Sequence, residues 1–377
     1  MPCLFISQMR ILHVADTHLG YSAYHKVASN GLNQREMDVY DAFEQFIDYA
    51  IETKPDLILH CGDLFDTVRP TNRAITFVIQ QLLRLSEEEI PIIIISGNHE
   101  TPKLRETGSV FRIFEHIKGV YPVYKGKYEK MEFGDAIIHS IPHCHTGEDL
   151  KKALESVEMS ERHHNIEMLH VGIMGIKEFR TGDFNEQVIP TGYLKPDFSY
   201  IALGHYHKSI EVSKNAYYAG STEHFSFKEA GEEKGFFEVE INGGVKKKFI
   251  PLKVRPMIDM GVIDCSSLSS EEITKKIMDM LSDIEPKEKI LRLLLKKIDR
   301  AIYRGIDFDL IKKVSSSALY FELSYETAEH AHELAGKESI GTLVDEWREF
   351  VSKISIDKKV KEEVEKLALS YLSEVSM

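Results

Sequence analysis

Short apolar runs that end abruptly in Gly, Asp, Asn or His limit most strongly what this chain can fold into. The run Ile92-Ile93-Ile94-Ile95 gives way at once to Ser96-Gly97-Asn98-His99-Glu100. The same change recurs in ILHVADTH (11–18), LILHCGD (57–63), IEMLHVG (166–172) and FSYIALGHYH (198–207). A short run without a polar face reads as a strand buried on both sides. Strands are predicted over Arg10–Ala15, Leu57–His60 and Ile92–Ile95. Between and after them, helical spacing predicts helices over Asp38–Thr53, Arg73–Leu85 and Lys103–Ile117. Strands and helices continue to about Pro251, and Asn242-Gly243 signals a hairpin. Such alternation makes an α/β or α+β sandwich. If the strands share a sheet and run parallel where they stop, their C-terminal ends open on one pocket.

The residues delivered there are Asp16, His18, Asp63, Asn98, His99, His170, His205 and His207. Alternate residues of an extended segment point the same way, so D-x-H and H-x-H each present two side chains to one side. A carboxylate such as that of Asp63 has two oxygens and can bridge two metals, and Asn98 adds a neutral oxygen. A mixed nitrogen and oxygen set with no thiolate suits Mn, Fe or Zn. Two such ions about 3.5–4 Å apart clamp a phosphate and assist in-line displacement. Each tripeptide arises easily by chance. The ordered series, each member after an apolar strand, does not.

Beyond Pro251–Pro256 the character changes. Strands are predicted over Met257–Ile263, Ile290–Ile298 and Ala318–Tyr325, with helices over Ser270–Leu281 and Asp307–Val314. This βαβαβ pattern marks a small second domain. The polar stretch 327–342 reads as a linker, and 343–377 as an amphipathic helical tail whose stripe includes Trp347. The expected division is therefore 9–254, 255–326, 327–342 and 343–377.

Composition narrows the class. No apolar stretch reaches the length of a membrane span, and the first residues lack the basic and apolar regions of a signal peptide. Met9 starts a strand immediately and is the expected true or alternative start. The cysteines Cys3, Cys61, Cys144 and Cys265 are scattered without a C-x-x-C pair, which points to a reducing compartment. Cytoplasmic localisation is expected, nucleoid-associated if the source is prokaryotic. A net charge of −13 disfavours grip on nucleic acid by bulk electrostatics, but carboxylates that hold cations cancel part of it.

The segments ILHVADTHLG, CGDLFD, ISGNHE, ALGHYH and YAGSTEHFSF resemble the calcineurin-like metallophosphoesterase superfamily. Residues 9 to about 325 resemble, more narrowly, its double-strand-break repair nucleases of the archaeal Mre-eleven and bacterial SbcD type. The resemblance implies two sheets flanked by helices, a small α+β capping domain that binds DNA, and a nuclease using two Mn²⁺ ions per subunit. It implies 3'-5' double-strand exonuclease and single-strand endonuclease activity. Asp16, His18, Asp63 and His207 would hold one ion. Asp63, Asn98, His170 and His205 would hold the other, with His99 as a catalytic group that is not a ligand. Relatives differ at the position of Asp66, which leaves its role open. The resemblance further implies a homodimer through helices 73–85 and 103–117, and docking of the C-terminal tail on an SMC-like coiled-coil ATPase.

Other histidine and lysine groupings carry bland readings. Pro142-His143-Cys144-His145 is too crowded for one metal, and His163-His164 sits in polar surroundings. His60 reads as a buried structural histidine. Lys246-Lys247-Lys248 reads as a solvated run, and the basic residues of 287–304 are the better candidate for a DNA-facing patch. The rival function is a phosphodiesterase or phosphatase acting on small molecules. The phosphatases of the superfamily carry G-D-x-x-D-R-G, whereas Thr67 stands here in place of that Arg. A scaffold that had lost the chemistry would lack a ligand or the catalytic histidine, and this chain lacks neither.

Overall fold

The computed structural model describes residues 9–28, 30–102, 108–161, 164–176, 186–242 and 244–327. The first strands are β1 (Met9–Val14), β2 (Leu57–Cys61), β3 (Ile92–Ile95), β4 (Val120–Val123), β5 (Glu129–Phe133) and β6 (Ala136–Ile141). Then come β7 (His164–His170), β8 (Gly172–Ile173), β9 (Val188–Ile189), β10 (Tyr200–Gly204), β11 (Ile210–Glu211) and β12 (Ala216–Tyr218). The last are β13 (Gly235–Ile241), β14 (Val245–Pro251), β15 (Met257–Asp264), β16 (Ile290–Ile298) and β17 (Tyr320–Thr327). The α-helices are α1 (Gln34–Thr53), α2 (Asn72–Glu87), α3 (Gly147–Glu155), α4 (Ser270–Ile284), α5 (Arg300–Arg304) and α6 (Phe308–Ser315).

Among the described residues, two six-stranded sheets carry the first part of the chain, in the orders β14-β13-β1-β2-β3-β4 and β11-β12-β10-β7-β6-β5. Strands β1 to β4 are parallel, as are β6, β7, β10 and β12. The isoleucine run shows why β3 needs no polar face. Ile92 and Ile94 pack with Phe43, Phe46, Leu82, Phe111 and Phe114 on the outer side. Ile93 and Ile95 pack inward with Leu59, Ile138, Ile166, Met168 and Tyr200, against the second sheet. All four are fully buried, and each contributes roughly 1.5–3 kcal/mol to the fold.

Polar struts join the two sheets under this core. His13 on β1 accepts from the Tyr200 hydroxyl through Nδ1 (2.9 Å) and donates from Nε2 to the carbonyl of Leu203 on β10 (3.1 Å). Burial pushes the His13 ring down to about 3, so it is neutral and can play both roles. The Cys61 thiol donates to the Ala202 carbonyl at 3.5 Å. Gly204 has to be glycine, because a Cβ there would run into the backbone carbonyl of Cys61 on the facing sheet.

Some elements differ from the sequence expectation. Helix α1 starts four residues earlier, at Gln34, where the Asn33 side chain accepts from the N–H groups of Arg35 and Glu36. Its first turn is polar yet buried, since Arg35 pairs with Asp38 (2.7 Å) and Glu223 (3.1 Å). Hydrophobic spacing could not register it. The expected helix Lys103–Ile117 is corrected. Residues 103–107 lie outside the described residues, and a 3-10 helix occupies Val110–His116. Gly108 sits at φ +71 and Ser109 accepts from the Phe111 N–H, which sets a new start there. The short helix α5, capped by Asp299 onto Ala301 N–H (2.7 Å), has no counterpart in the sequence expectation.

Chain contacts divide the protein into two compact units. Among the described residues, one holds those up to Met260 with Met280–Arg292 and Lys312–Glu322; the other holds Gly261–Asp279, Leu293–Ile311 and 323–327. Strands β15, β16 and β17 form a separate three-stranded sheet in that order. The expected linker beyond residue 327 and the tail 343–377 lie outside the described residues. Among the described residues no helix is long and apolar enough to cross a membrane.

Candidate metal centre

Each of the eight candidate residues stands at the C-terminal end of a central strand. Asp16 and His18 follow β1, Asp63 follows β2, Asn98 and His99 follow β3, His170 ends β7, and His205 and His207 follow β10. Three strands belong to one sheet and two to the other, so the cluster closes across the gap between the sheets. Three groupings bring potential ligand atoms within 4.8 Å of one another: Asp16, His18 and His207; His18, Asp63 and His99; Asp63, His170 and His205. Asp63 and His18 each belong to two of them. Among the described residues, the 142–145 stretch forms no such grouping. Its Cys144 thiol donates instead to the carbonyls of Gly126 and Pro142.

Backbone strain shapes the centre. Asp16, His18, Asp63 and His205 all have positive φ, between +43 and +107. Such conformations cost on the order of 1–3 kcal/mol each and persist only where the surroundings fix them. Here the neighbouring loops do so. Asp16 N–H donates to Gly62 O and His18 N–H to Asp63 O, both at 3.0 Å. The Asp16 carboxylate accepts from His205 N–H (3.0 Å), and Asp63 Oδ1 accepts from His99 N–H (3.0 Å). Gly97 leaves room for this last contact, since a Cβ there would collide with the Asp63 carboxylate. The buried Glu100 clips two loops together, accepting from Phe65 N–H (2.8 Å) and Gly97 N–H (2.9 Å). Burial and the Asp63 charge push its carboxyl up to about 8.

The donor atoms themselves test whether cations fit. His170 donates from Nδ1 to the Cys61 carbonyl at 2.8 Å, which turns its Nε2 lone pair inward. That nitrogen lies 2.9 Å from Asn98 Oδ1 and 3.3 Å from Asp63 Oδ2. Three electron-pair donors thus converge, and only a proton or a cation satisfies them together. His18 Nε2 and His207 Nε2 face each other at 3.1 Å in the same way. The set is nitrogen and oxygen only. The nearby Cys61 thiol is pushed well above its usual range by burial and stays protonated.

The field of the centre is negative. Burial would lower His170, but Asp63 and Asp16 outweigh it and hold the ring up to about 9. Burial would raise Asp63, but His170 outweighs that and holds its carboxyl well below the carboxylate range. Divalent ions must displace the His170 proton below about pH 9, so their affinity is expected to rise with pH across the neutral range. Calorimetric Mn²⁺ titrations in buffers of different ionisation enthalpy would reveal the released proton. Equal enthalpies and a flat affinity from pH 6 to 9 would contradict it.

His99 stands apart from the others. Its Nδ1 donates to the Asp66 carbonyl at 2.8 Å, and Nε2 points inward, 4.0 Å from Asp63 Oδ2. Its side chain is 31% exposed and that of His207 23%, whereas those of His18, Asp63, His170 and His205 are at most 3% exposed. Burial lowers the ring, but Asp63 and the Asp66 carbonyl raise it above the ordinary value. His99 therefore presents a free ring nitrogen at the open side. Asp66 also places Oδ1 3.5 Å from His18 Nδ1, a contact that the sequence does not reveal.

Sequence reasoning missed the outer residues. Glu229 accepts from His207 Nδ1 at 3.1 Å, and Glu186 Oε1 lies 3.3 Å from His205 Nε2. Phe225, in the YAGSTEHFSF segment, packs its ring 4.7 Å from that of His18 and 5.3 Å from that of His207. His60 is buried as expected, with Nε2 on Thr17 Oγ1 at 3.0 Å. Lys247 of the lysine run pairs with Glu211 at 3.0 Å and lies over the Tyr217 ring.

Comparison with known proteins agrees with this geometry. The family described as calcineurin-like phosphoesterase matches residues 9–209. The DNA double-strand break repair protein Mre11 of Methanococcus maripaludis is 31% identical over 299 residues, covering 74% of this chain and 76% of that protein. Its counterpart in Methanocaldococcus jannaschii is 31% identical over 282 residues, 69% of this chain and 71% of that protein. That of Thermoplasma acidophilum is 36% identical over 264 residues, 66% of each.

Proposed function

Because the chain belongs to the calcineurin-like phosphoesterases and, within them, to the family of the Mre11 repair proteins, we propose that it is a two-metal DNA nuclease that processes ends in double-strand-break repair. The observation that carries the reading is the meeting of His170 Nε2, Asn98 Oδ1 and Asp63 Oδ2 in a buried, anionic centre. Asp16, His18, Asp63 and His207 would hold one divalent ion, and Asp63, Asn98, His170 and His205 the other. The donor set suits Mn, Fe or Zn, and the likeness to the Mre11 family favours Mn²⁺. Two bound ions supply Lewis-acid charge for a phosphodiester and an activated water. The chain's own contribution is placement and proton traffic. Rigid strand ends hold the ligands to the small tolerances such a centre needs. His99, anchored on Asp66 O, keeps its Nε2 on the accessible side and gives a proton to the leaving oxygen.

The finer parts of the proposal are 3'-5' exonuclease action on duplexes, endonuclease action on single strands, and a DNA-binding capping domain over 255–326. A homodimer through residues 73–85 and 103–117 fits the exposure of Leu83 and Ile113, although Leu82, Phe111 and Phe114 belong to the chain's own core. Sedimentation equilibrium showing only monomer at micromolar concentration would remove it. The tail 343–377 would bind an SMC-like coiled-coil ATPase, and association that survives deletion of 340–377 would refute that.

The deciding assay offers labelled single- and double-stranded DNA with Mn²⁺, Mg²⁺ or EDTA, beside p-nitrophenyl phosphate esters. DNA cleavage that requires Mn²⁺ is expected. Turnover of the small esters with intact DNA would favour a small-molecule phosphodiesterase instead.

A further inference from the structure

Lys234 is the most unusual charge in the protein. Its side chain is fully buried, and taking an ammonium out of water costs several kcal/mol unless it is well paired. The ammonium has three hydrogens and four acceptors in reach: Glu229 Oε2 at 2.6 Å, His207 O at 3.0 Å, Ser221 Oγ at 3.1 Å and Glu232 Oε2 at 3.3 Å. Replacing the whole ion pair by well-packed apolar side chains would serve stability as well or better. Two of the four contacts lead to one residue. Lys234 holds the backbone carbonyl of His207 directly, and holds its ring through Glu229, whose other oxygen accepts from His207 Nδ1 at 3.1 Å. Ser221 completes the clasp, since its N–H donates to the same His207 carbonyl at 3.0 Å.

We infer that Lys234 and Glu229 form a positioning device that locks the backbone and the ring tautomer of His207. This rests on the two-metal reading for its purpose, but the lock itself is a property of the chain alone. With the proton fixed on Nδ1 by the Glu229 carboxylate, Nε2 keeps its lone pair toward His18 Nε2. Lys234 neutralises Glu229, so the carboxylate can lie behind the ring as an oriented acceptor. Outer partners of this kind fix the tautomer of a ligating histidine, and losing one typically costs 10–100-fold in metal affinity. The spacing is local in the chain, 22 residues from His207 to Glu229 and 5 more to Lys234. The device could not be read from sequence, because neither residue follows a strand end.

The test uses the full chain, wild type beside Glu229→Ala, Glu229→Gln and Lys234→Met. Long-range ¹H–¹⁵N correlation of the metal-free protein at alkaline pH, where the rings are neutral, reads the His207 tautomer. Wild type is expected to be the Nδ1–H form and Glu229→Ala a mixture. Glu229→Gln, which keeps an acceptor oxygen, should retain the Nδ1–H form. Mn²⁺ titration should show one ion weakened about 10–100-fold in Glu229→Ala and also weakened in Lys234→Met, whose thermal midpoint should fall because the buried Glu229 carboxylate loses its partner. A wild-type tautomer and wild-type Mn²⁺ affinity in Glu229→Ala would overturn the inference. So would a Lys234→Met variant that loses thermal stability while keeping full Mn²⁺ affinity. If the wild type binds no Mn²⁺, the two-metal reading fails by itself, while the tautomer result still decides the lock.

Discussion

On the proposed two-metal reading, Asp63→Asn is expected to abolish DNA cleavage and to remove at least one bound metal ion. The substitution keeps shape and the acceptor for His99 N–H while deleting the charge at the meeting point of two ligand groupings. Losses around such centres reach 10–100-fold even for outer residues, so the bridging carboxylate should exceed that in both affinity and rate. The fold should survive, because the amide is isosteric and keeps the acceptor for the His99 N–H. Calorimetric titration with Mn²⁺, the DNA assay and a thermal melt, all on the same preparation, check the three statements. Two ions bound at wild-type affinity would sink the bridging role.

His99→Ala should behave in the opposite way toward metal. Its ring is anchored on a backbone carbonyl and is far more exposed than the buried imidazoles, so Mn²⁺ affinity should not change. The turnover number should fall by about 10²–10⁴, the usual worth of a positioned general acid. The pH dependence gives the sign. In the metal-free chain burial lowers the His99 ring, but Asp63 and the Asp66 carbonyl outweigh it and raise the ring above its ordinary value, so the acidic form is lost on the alkaline side of that value. The wild-type rate should therefore drop as pH rises through that raised value. In His99→Ala the drop should disappear, and added imidazole should restore part of the rate. Full activity in the variant would refute the assignment.

The candidate centre was unusually legible because its parts sit where strand chemistry changes. Buried strands need apolar residues on both faces, and the residue after each must turn, so Gly62, Gly97 and Gly204 mark the points where Asp63, Asn98 and His205 emerge. Parallel order brought the ends together within each sheet, and two facing sheets rather than the one shared sheet of the expectation closed the centre. What escaped the sequence is what tertiary structure alone defines. The left-handed conformations of Asp16, His18, Asp63 and His205 are imposed by neighbouring loops and leave no mark in residue type. Glu229, Lys234 and Glu186 read as ordinary surface charges until the fold buries them. The polar first turn of α1 was hidden for the same reason, since Arg35 finds Glu223 188 residues away. The break at Gly108 was visible as a glycine, but helical spacing on either side masked it.

The cross-sheet origin of the centre also governs when it can exist. Asp16 is held by the His205 N–H across 189 residues of chain, and His170 reaches Cys61 across 109. Contacts of such long sequence separation form late, after loop closure has been met by packing elsewhere. At synthesis rates of about 5–20 residues per second, His207 leaves the ribosome roughly ten to forty seconds after the start. Until then no nascent chain holds a complete ligand set, whatever ions surround it. Until His207 has emerged, topology alone keeps the growing chain from assembling the centre.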